Sequence, residues 1–338
     1  MKKPVISIII TVRNAEKYIK TCLDSLLQEK ASSYEIIVID DASDDDTMKI
    51  LKKYKKQKSI MIHSFHTKKG AAAARNFAVT HSKGTYLFFL DSDTKIPTGW
   101  SSSIPKLYRN NKETIMLCKL LRFHANRFDS AGEFLTPFYL LMDRAKADFD
   151  RGQFEEEQSV FSGKSAAMLI PKIRFELLGG FDEKMEWLVE DTDLCFRNWI
   201  AGSTVLYQPA ITVFHNDPTF EKTKGYYRKL QPRYRGCRNT IRTVLKNAEG
   251  KRLWYAVPMQ LSIWSMLTVF MLVRLDFTAA GELLHGILWN ILNIKDTWKA
   301  RQMVQQSRVI TDGKLLETVG TSEPITHYID KAIRYVTG

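Results

Sequence analysis

The sequence predicts an α/β protein with a mainly parallel sheet flanked by helices. Short apolar, β-branched runs alternate with helix-type patterns along the first 96 residues, and this alternation is typical of parallel strands joined by right-handed crossovers. Hydrophobic residues make up 44% of the 338 positions and charged residues 26%. The chain can therefore fill a large core, and it does not have the composition of a disordered protein.

The order and spacing of the predicted strands and helices are typical of this fold class. Val5–Ile10 is nearly continuously apolar, which predicts a strand buried on both faces. A helix follows, because Tyr18, Cys22 and Leu26 recur at four-residue spacing. The further predicted elements are a strand at 35–39, a helix at 48–54, a short strand at 60–63, a helix from about residue 71 and a strand at 86–90.

Polar side chains stand where the predicted strands end. They are Thr11, Asp40, Asp41, Asp91 and Asp93. Ligands of parallel sheets bind at the carboxyl ends of the strands, so we expect these side chains to border one binding site.

Composition divides the rest of the chain. Residues 97–162 show no regular pattern and are expected to form an insertion near the site, whereas 163–215 is strongly patterned. We predict a first domain over 1–218, with halves at about 1–96 and 97–218. A basic, helical C-terminal extension is predicted over 219–338.

Asp91 and Asp93 are candidate ligands of a divalent cation. They follow a buried strand at spacing i, i+2, where a turn can aim both carboxylates at one point, and hard cations prefer such oxygen ligands. Aspartates are also common in solvated turns, so the motif alone leaves both interpretations open. His215 ends another strand-like run and is a candidate third ligand of the metal or a ligand of the diphosphate, although a single histidine is more often a structural hydrogen-bonding group.

Two further acidic pairs each have two interpretations. Asp40 and Asp41 could accept hydrogen bonds from a nucleotide base or ribose, or Asp41, Ser43 and Asp44 could cap the following helix. Glu190 and Asp191 open an amphipathic helix, where the helix dipole favours carboxylates. A carboxylate at that position could instead act as a general base on a bound hydroxyl.

Five motifs, taken together and in order, resemble glycosyltransferase family 2 over about residues 4–215. They are Ser7–Asn14, Val38–Thr47, Gly70–Asn76, Phe89–Asp93, and Gly179–Asp182 with Glu190–Leu194. The resemblance implies a GT-A fold, a nucleotide-sugar donor, a divalent cation (magnesium or manganese) and inversion at the anomeric carbon. The halves 1–96 and 97–218 would then serve the nucleotide sugar and the acceptor.

The resemblance also implies nucleotide-binding roles. Thr11 and Arg13 match the positions that contact the nucleotide, and Asp41, with Asp40 beside it, matches the position that binds uracil or ribose. Arg75 falls in the element near the base and diphosphate.

Metal and catalytic roles follow from the same resemblance. Asp93 matches the carboxylate that touches the metal directly, and Asp91 the one that often acts through water. His215 is expected to assist as a further ligand. Asp191 matches the catalytic base, and Glu190 its neighbour on the acceptor side.

The charge balance predicts an anionic partner. Lys and Arg number 50 against 37 Asp and Glu, which leaves +13, and this excess would suit nucleic acid, an anionic membrane or a phosphorylated small molecule. Much of it lies at 49–58 and beyond residue 216. We expect a nucleotide sugar and an anionic membrane surface as partners, and no nucleic acid.

The C-terminal extension is expected to contact a membrane. Residues 253–273 carry no charge and are about long enough to cross a bilayer, and 277–294 is amphipathic. The alternatives are a buried helical subdomain and an interfacial hairpin, of which we favour the hairpin. The short apolar run at the N-terminus does not resemble a signal peptide, and the scattered cysteines favour free thiols. We therefore predict a cytoplasmic enzyme, peripheral or monotopic at the inner face of the cell membrane.

These expectations combine into one predicted function. The protein would be an inverting, metal-dependent transferase that moves a sugar to a hydroxyl of a glycan or lipid-linked acceptor in cell-surface polysaccharide or glycoconjugate synthesis. The alternative enzyme class is a nucleotidyltransferase on a related fold. A basic nucleic-acid-binding protein is the non-enzymatic alternative, and it leaves the ordered carboxylates unexplained.

Overall fold

The computed structural model describes residues 5–29, 33–108, 113–123, 125–216 and 232–321. The chain divides into two compact units. The sheet unit comprises Met1–Glu133, Asp143–Glu186 and Ser203–Asp217, and the helical unit comprises Phe134–Met142, Trp187–Gly202 and Pro218–Gly338. Residues 134–142 and 187–202 thus group with the C-terminal helices, although a boundary near residue 218 was the expectation.

The strands are β1 (Ile6–Val12), β2 (Tyr34–Asp40), β3 (Ile60–Ser64), β4 (Tyr86–Asp91), β5 (Thr94–Lys95), β6 (Ile115–Arg122), β7 (Phe128–Ser130), β8 (Glu133–Leu135), β9 (Leu141–Asp143), β10 (Gln158–Ser159), β11 (Ala167–Pro171) and β12 (Val205–His215). The main sheet has the strand order β10-β12-β6-β11-β4-β1-β2-β3. Its parallel neighbours are β1 with β2 and β4, β2 with β3, and β6 with β12, whereas β11 runs antiparallel to β4 and β6. The short strands β5 and β7 pair with β12 and β6, and β8 pairs with β9 in a separate two-stranded sheet.

Helices complete both units. Those of the sheet unit are α1 (Ile19–Leu27), α2 (Thr47–Lys52), α3 (Ala71–His81), α4 (Trp100–Leu107) and α5 (Lys172–Leu177). Those of the helical unit are α6 (Glu190–Ile200), α7 (Pro232–Asn247), α8 (Leu253–Val273), α9 (Phe277–Leu292), α10 (Ile294–Gln306) and α11 (Asp312–Val319). The predicted fold class, a mainly parallel sheet with flanking helices and a helical C-terminal part, is confirmed.

The central strands are buried on both faces, as the sequence predicts. Ile8, Ile9 and Ile10 of β1 are fully buried, as are Phe88 and Phe89 of β4. Residues on both sides of these strands therefore contribute to the core, which makes the carboxyl ends of the strands rigid points of attachment for the loops that follow.

The expectation that 97–162 is irregular is wrong for Ile115–Arg122. This segment is β6, a fully buried strand in the middle of the sheet. Lys119 interrupts its apolar pattern, but the ammonium group is buried against Asp150, 2.7 Å away, and Glu155. A buried cation needs such partners, and they lie more than 30 residues away in sequence, where the local pattern does not show them.

The basic stretch that was expected to face a membrane is partly internal. Arg235, Arg238 and Arg242 of α7 are buried. The Arg238 guanidinium lies 5.0 Å from the ring centre of Trp289, and NH1 of Arg242 lies 2.9 Å from Oδ2 of Asp296. These cations stabilise the packing of helices and do not belong to a charged surface. The remaining members of the stretch from Lys222 to Lys229 lie outside the described residues.

Helices α8 and α9 have one buried and one exposed apolar side. Trp264 and Leu283 pack in the core of the helical unit. The turn between the helices is apolar and exposed, with exposed fractions of 76% for Val273, 73% for Leu275 and 65% for Phe277. In the part of the chain that the structure describes, Gly250–Val273 is one helical stretch long and apolar enough to cross a membrane, and 33% of an 18-residue apolar window within it is buried in the protein.

Candidate active site

A short antiparallel strand pairing connects the segment after β4 to the end of β12. β4 ends at Asp91, and the next strand, β5, pairs Thr94 with His215. The amide of Asn216 donates a hydrogen bond to the carbonyl oxygen of Asp93 at 2.9 Å. This pairing fixes the register, so that His215 lies opposite the turn that carries the two aspartates.

The three residues predicted as metal ligands come together here. Nε2 of His215 lies 3.2 Å from Oδ1 of Asp93 and 3.9 Å from Oδ2 of Asp91. One ligand atom from each residue lies within 4.8 Å of the other two. Both carboxylates are half-buried and the imidazole is buried. Two carboxylates and an imidazole suit magnesium or manganese and leave coordination positions for phosphate oxygens and water, so these residues fit the predicted cation.

A buried ion-pair network lies behind His215. Its Nδ1 is 2.9 Å from Oδ2 of Asp129, and Nζ of Lys164 donates to both oxygens of Asp129 at 2.8 and 2.7 Å. Burial alone would lower the pKa of His215, but the carboxylates of Asp93 and Asp129 raise it well above its ordinary value. Burial would raise the pKa of Asp129, but Lys164 and His215 lower it. Nothing in the sequence singles out Asp129 or Lys164, because neither belongs to a motif.

Arg75 joins helix α3 to the same cluster. Its NH2 lies 2.8 Å from Oδ1 of Asp91, and the side chain is almost completely buried. The guanidinium also lies 5.4 Å from the ring centre of Phe181. Arg75 therefore holds one of the two strand-end carboxylates, and its predicted contact with the diphosphate stays a prediction.

Contacts of helix α3 connect the motif at 70–76 to the motif at 179–182. Asn76 donates to the carbonyl oxygen of Phe181 and accepts from its amide, both at 2.9 Å. Gly70, with φ of +93°, precedes the helix, and a Cβ at this position would lie 2.9 Å from the Cα of Glu186. The glycine is needed for both the backbone conformation and this close approach. The motif at 70–76 thus holds the segment from Phe181 to Glu186 in place.

The predicted nucleotide-binding residues lie at the ends of β1 and β2. Thr11 pairs with Asp91 across the neighbouring strands, which places it beside the metal-ligand candidates. The buried carboxylate of Asp41 accepts from the amides of Lys69 and Gly70 at 2.7 and 2.9 Å. NH1 of Arg13 donates to the carbonyl oxygen of Asp41 at 3.1 Å.

Asp40, Ser43 and Asp45 form hydrogen bonds within the protein, and most of these bonds are not the helix caps that the capping interpretation predicts. Asp40 is buried and accepts from the hydroxyls of Ser43 and Ser64. Ser43 accepts from the amide of Asn14. Asp45, rather than Asp41, Ser43 or Asp44, accepts from the amide of Thr47 at the start of α2. The run therefore joins the loops after β1 and β2, and the nucleotide-binding role of its first two residues stays a prediction.

The acidic residues at the start of α6 separate into different environments. Asp191 is half-buried, and its Oδ1 accepts from the amide of Thr192 at 2.8 Å, whereas Glu190 is buried. Asp193 is fully buried and lies 2.8 Å both from NH2 of Arg197 and from Nζ of Lys246. Asp193 therefore stabilises the helical unit, and Asp191 is the more accessible carboxylate.

Asn239 of α7 holds the turn that precedes Glu190. Its side-chain amide donates to the carbonyl oxygens of Trp187 and Leu188 at 3.1 and 2.6 Å. Leu188 and Val189 have φ of +72° and +75°, a conformation that is uncommon for branched side chains and costs free energy. The hydrogen bonds of the buried Asn239 offset this cost and fix the backbone directly before the two carboxylates.

Comparisons with known proteins match part of the chain to one family. The chain matches the model of glycosyl transferase family 2 over residues 7–160. It is 39% identical over 112 residues to the poly(ribitol-phosphate) beta-glucosyltransferase of Bacillus spizizenii, covering 32% of this chain and 17% of that protein. It is 43% identical over 88 residues to the UDP-Glc:alpha-D-GlcNAc-diphosphoundecaprenol beta-1,3-glucosyltransferase WfaP of Escherichia coli, covering 26% of this chain and 35% of that protein. The chain spans well under two thirds of the length of either relative.

Solved structures show the same fold. GalNAc-T7 with UDP, GalNAc and Mn²⁺ superposes with a TM-score of 0.60 at 17% identity, covering 75% of this chain and 50% of that chain. Residues 1–349 of S. aureus TarS in complex with UDP-GlcNAc superpose with a TM-score of 0.55 at 15% identity, covering 89% and 90%. At such identities the likeness concerns the fold.

Residues 7–160 thus match glycosyl transferase family 2, and the sheet that they share with β11 and β12 has the GT-A fold. The family predicted from the motifs is confirmed for residues 7–160, whereas the motif at 179–194 lies outside the matched region.

Replacing Asp193 tests its structural role. Asp193→Ala leaves two buried cations without their shared carboxylate, and breaking a buried ion pair in this way costs about 3–5 kcal/mol. We expect a loss of this size in the free energy of unfolding, measured by urea denaturation. Glu317→Ala, at an exposed pair with Lys314, is the control and should change stability by less than about 0.5 kcal/mol. Equal losses for the two variants would contradict the assignment.

Proposed function

We propose that the protein is an inverting, metal-dependent glycosyltransferase that moves a sugar from a nucleotide-sugar donor to a hydroxyl of a glycan or lipid-linked acceptor. The observation that carries the proposal is the cluster of Asp91, Asp93 and His215 at the strand ends of a family 2 domain. Its place in metabolism would be cell-surface polysaccharide or glycoconjugate synthesis. The names of the poly(ribitol-phosphate) and diphosphoundecaprenol enzymes support this class of acceptor.

The cluster is proposed to hold the cation. Asp93 and His215 would be direct ligands, and Asp91 would bind directly or through water. A magnesium or manganese ion bound there neutralises the negative charge that develops on the leaving nucleoside diphosphate. The close fit of two carboxylates and one imidazole supports this proposal, as does the Mn²⁺ in the crystal structure of GalNAc-T7.

Thr11, Arg13, Asp40, Asp41 and Arg75 are proposed to bind the nucleotide. Thr11 pairs with Asp91 in neighbouring strands, so a nucleotide lying across β1 would reach the cluster through its diphosphate. Asp41 accepts two backbone amide hydrogen bonds, which hold the carboxylate in a fixed orientation. We propose a UDP-sugar as donor, since UDP-GlcNAc is bound in the structure of TarS.

Asp191 is the proposed catalytic base. It would take the proton of the acceptor hydroxyl while the hydroxyl oxygen forms a bond to the anomeric carbon, and the bond from that carbon to the diphosphate oxygen breaks. Attack on the face opposite the leaving group inverts the configuration. The half-exposed position of Asp191 supports this role over Asp193, which is fully buried and paired. Glu190 is proposed to shape the acceptor side.

The helical unit is proposed to bind the cytoplasmic face of the cell membrane, as a peripheral or monotopic attachment. Val273, Leu275 and Phe277 would enter the lipid interface. Transfer of exposed apolar side chains from water into that interface lowers the free energy. Lys295 and Lys299 are exposed on α10 and would attract anionic headgroups.

A donor screen tests the proposed function. The purified protein is incubated with UDP-, GDP- and dTDP-sugars and Mn²⁺ or Mg²⁺, and the released nucleotide is identified. We expect release of UDP from a UDP-sugar. EDTA should lower the rate at least 100-fold, because it removes several kcal/mol of charge stabilisation by the metal, and each 1.4 kcal/mol changes the rate about tenfold. A parallel reaction supplies a nucleoside triphosphate and a sugar 1-phosphate; release of pyrophosphate there, without release of UDP from the UDP-sugar, would identify a nucleotidyltransferase and contradict the proposal.

Asp191→Asn separates the base from donor binding. The amide cannot accept the hydroxyl proton, so kcat should fall by roughly 10²–10⁴-fold, whereas the Kd of the donor, measured by calorimetry, should stay within about twofold. Glu317→Gln, on the exposed surface of α11, is the control and should leave both quantities unchanged. An equal loss of donor affinity and rate would refute the role of Asp191.

Vesicle binding tests the proposed membrane contact. The triple variant Val273→Ser, Leu275→Ser, Phe277→Ser removes three apolar side chains, each of which is worth about 1 kcal/mol or more when buried in lipid. We expect at least a tenfold weaker partitioning into vesicles that contain anionic lipid, measured by sedimentation. The control is Ile173→Ser with Leu177→Ser, which removes exposed apolar side chains from α5. Unchanged binding of the triple variant would favour the alternative of a helical subdomain without lipid contact.

A further inference from the structure

We propose that Asp129, held by Lys164, is a positioning residue that orients His215 as a metal ligand. The inference rests on the proposed metal site and extends it to two residues outside the sequence motifs. It concerns the tautomer and the ring orientation of His215, which decide whether Nε2 presents a lone pair to the cation.

The two nitrogens of His215 face opposite environments. Nε2 lies 3.2 Å from Oδ1 of Asp93, on the side of the half-exposed cluster. Nδ1 lies 2.9 Å from Oδ2 of Asp129, which is fully buried. An ionised carboxylate accepts hydrogen bonds and cannot donate them, so Nδ1 must carry the hydrogen. In the neutral ring the lone pair is then on Nε2, as a ligand requires.

Lys164 keeps the carboxylate in place. Its Nζ lies 2.8 and 2.7 Å from the two oxygens of Asp129, so that both carboxylate oxygens have a donor. The Asp129 side chain is completely buried, whereas 26% of the Lys164 side chain is exposed. The buried charge is therefore paired within the protein, and water does not compete with His215 for the carboxylate.

The backbone at Asp129 is shaped for this contact. Leu120 pairs with Ser130 and Leu121 with Phe128, so that Asp129 is an extra residue in β7 opposite β6. Such a β-bulge changes the direction of a side chain and is common beside active sites. β12 pairs with β6 along its other edge and brings His215 opposite Arg122. The bulge allows the carboxylate to reach across β6 to the imidazole.

A double-mutant cycle on metal affinity tests the inference. Mn²⁺ is titrated into the full chain, alone and with UDP, and free Mn²⁺ is measured by electron paramagnetic resonance. Asp129→Ala should weaken Mn²⁺ binding by about 10–100-fold, as loss of such a supporting carboxylate usually does. Asp129→Asn retains an oxygen that can accept from Nδ1 and should lose less. In a His215→Ala background, Asp129→Asn should have no further effect, because the residue acts through the ring.

The matched control is Asp150→Asn. Asp150 also pairs with a buried lysine of the sheet unit, Lys119, at 2.7 Å, so this variant should lower stability and leave Mn²⁺ affinity unchanged. Equal effects of Asp129→Asn with and without His215 would show general destabilisation and overturn the inference. Unchanged Mn²⁺ affinity of Asp129→Ala would overturn it while leaving the metal site intact. A wild-type chain that binds no Mn²⁺ would overturn the proposed metal dependence as well.

Discussion

The antiparallel pairing of β5 with the end of β12 is the constraint on which the proposed metal site depends. In a sheet of parallel strands, the carboxyl ends lie along one edge, but nothing in that arrangement alone aligns one strand end with another several strands away. The pairing of Thr94 with His215 supplies this alignment. It brings the imidazole of His215 within hydrogen-bonding distance of the carboxylate of Asp93 and to 3.9 Å from that of Asp91. The neighbouring position of Thr11 then joins the cluster to the start of the chain.

The sequence predicts the strands that are uniformly apolar and the residues that follow them. β1, β2 and β4 are such strands, and Asp91, Asp93 and His215 were predicted together because each stands at a strand end. β6 escapes prediction because Lys119 breaks the apolar pattern, although its charge is compensated by Asp150 and Glu155 in the folded chain. A local sequence pattern contains only residues that are close in sequence, whereas the ion pairs of Lys119 form only in the tertiary structure.

Asp129 and Asn239 were missed for a related reason. Each is a single polar residue whose partner lies far away in the sequence, His215 for one and the carbonyl oxygens of Trp187 and Leu188 for the other. Their function is to hold another group in position, so no spacing between reactive residues indicates it. The same limit applies to the basic residues of α7. Their charge counts toward the total of +13, but three of the arginines are buried among aromatic and acidic side chains.

The hydrogen bonds of Asn239 also limit which segments of this protein could be exchanged with those of its relatives. The turn before Glu190 depends on a residue of α7, and Asp193 depends on Lys246 near the end of the same helix. The acidic motif and the C-terminal helices therefore depend on each other for their structure, while the matched family region ends at residue 160. An exchange of C-terminal parts between family members would preserve the proposed catalytic base only if the segment at 187–202 were exchanged with them.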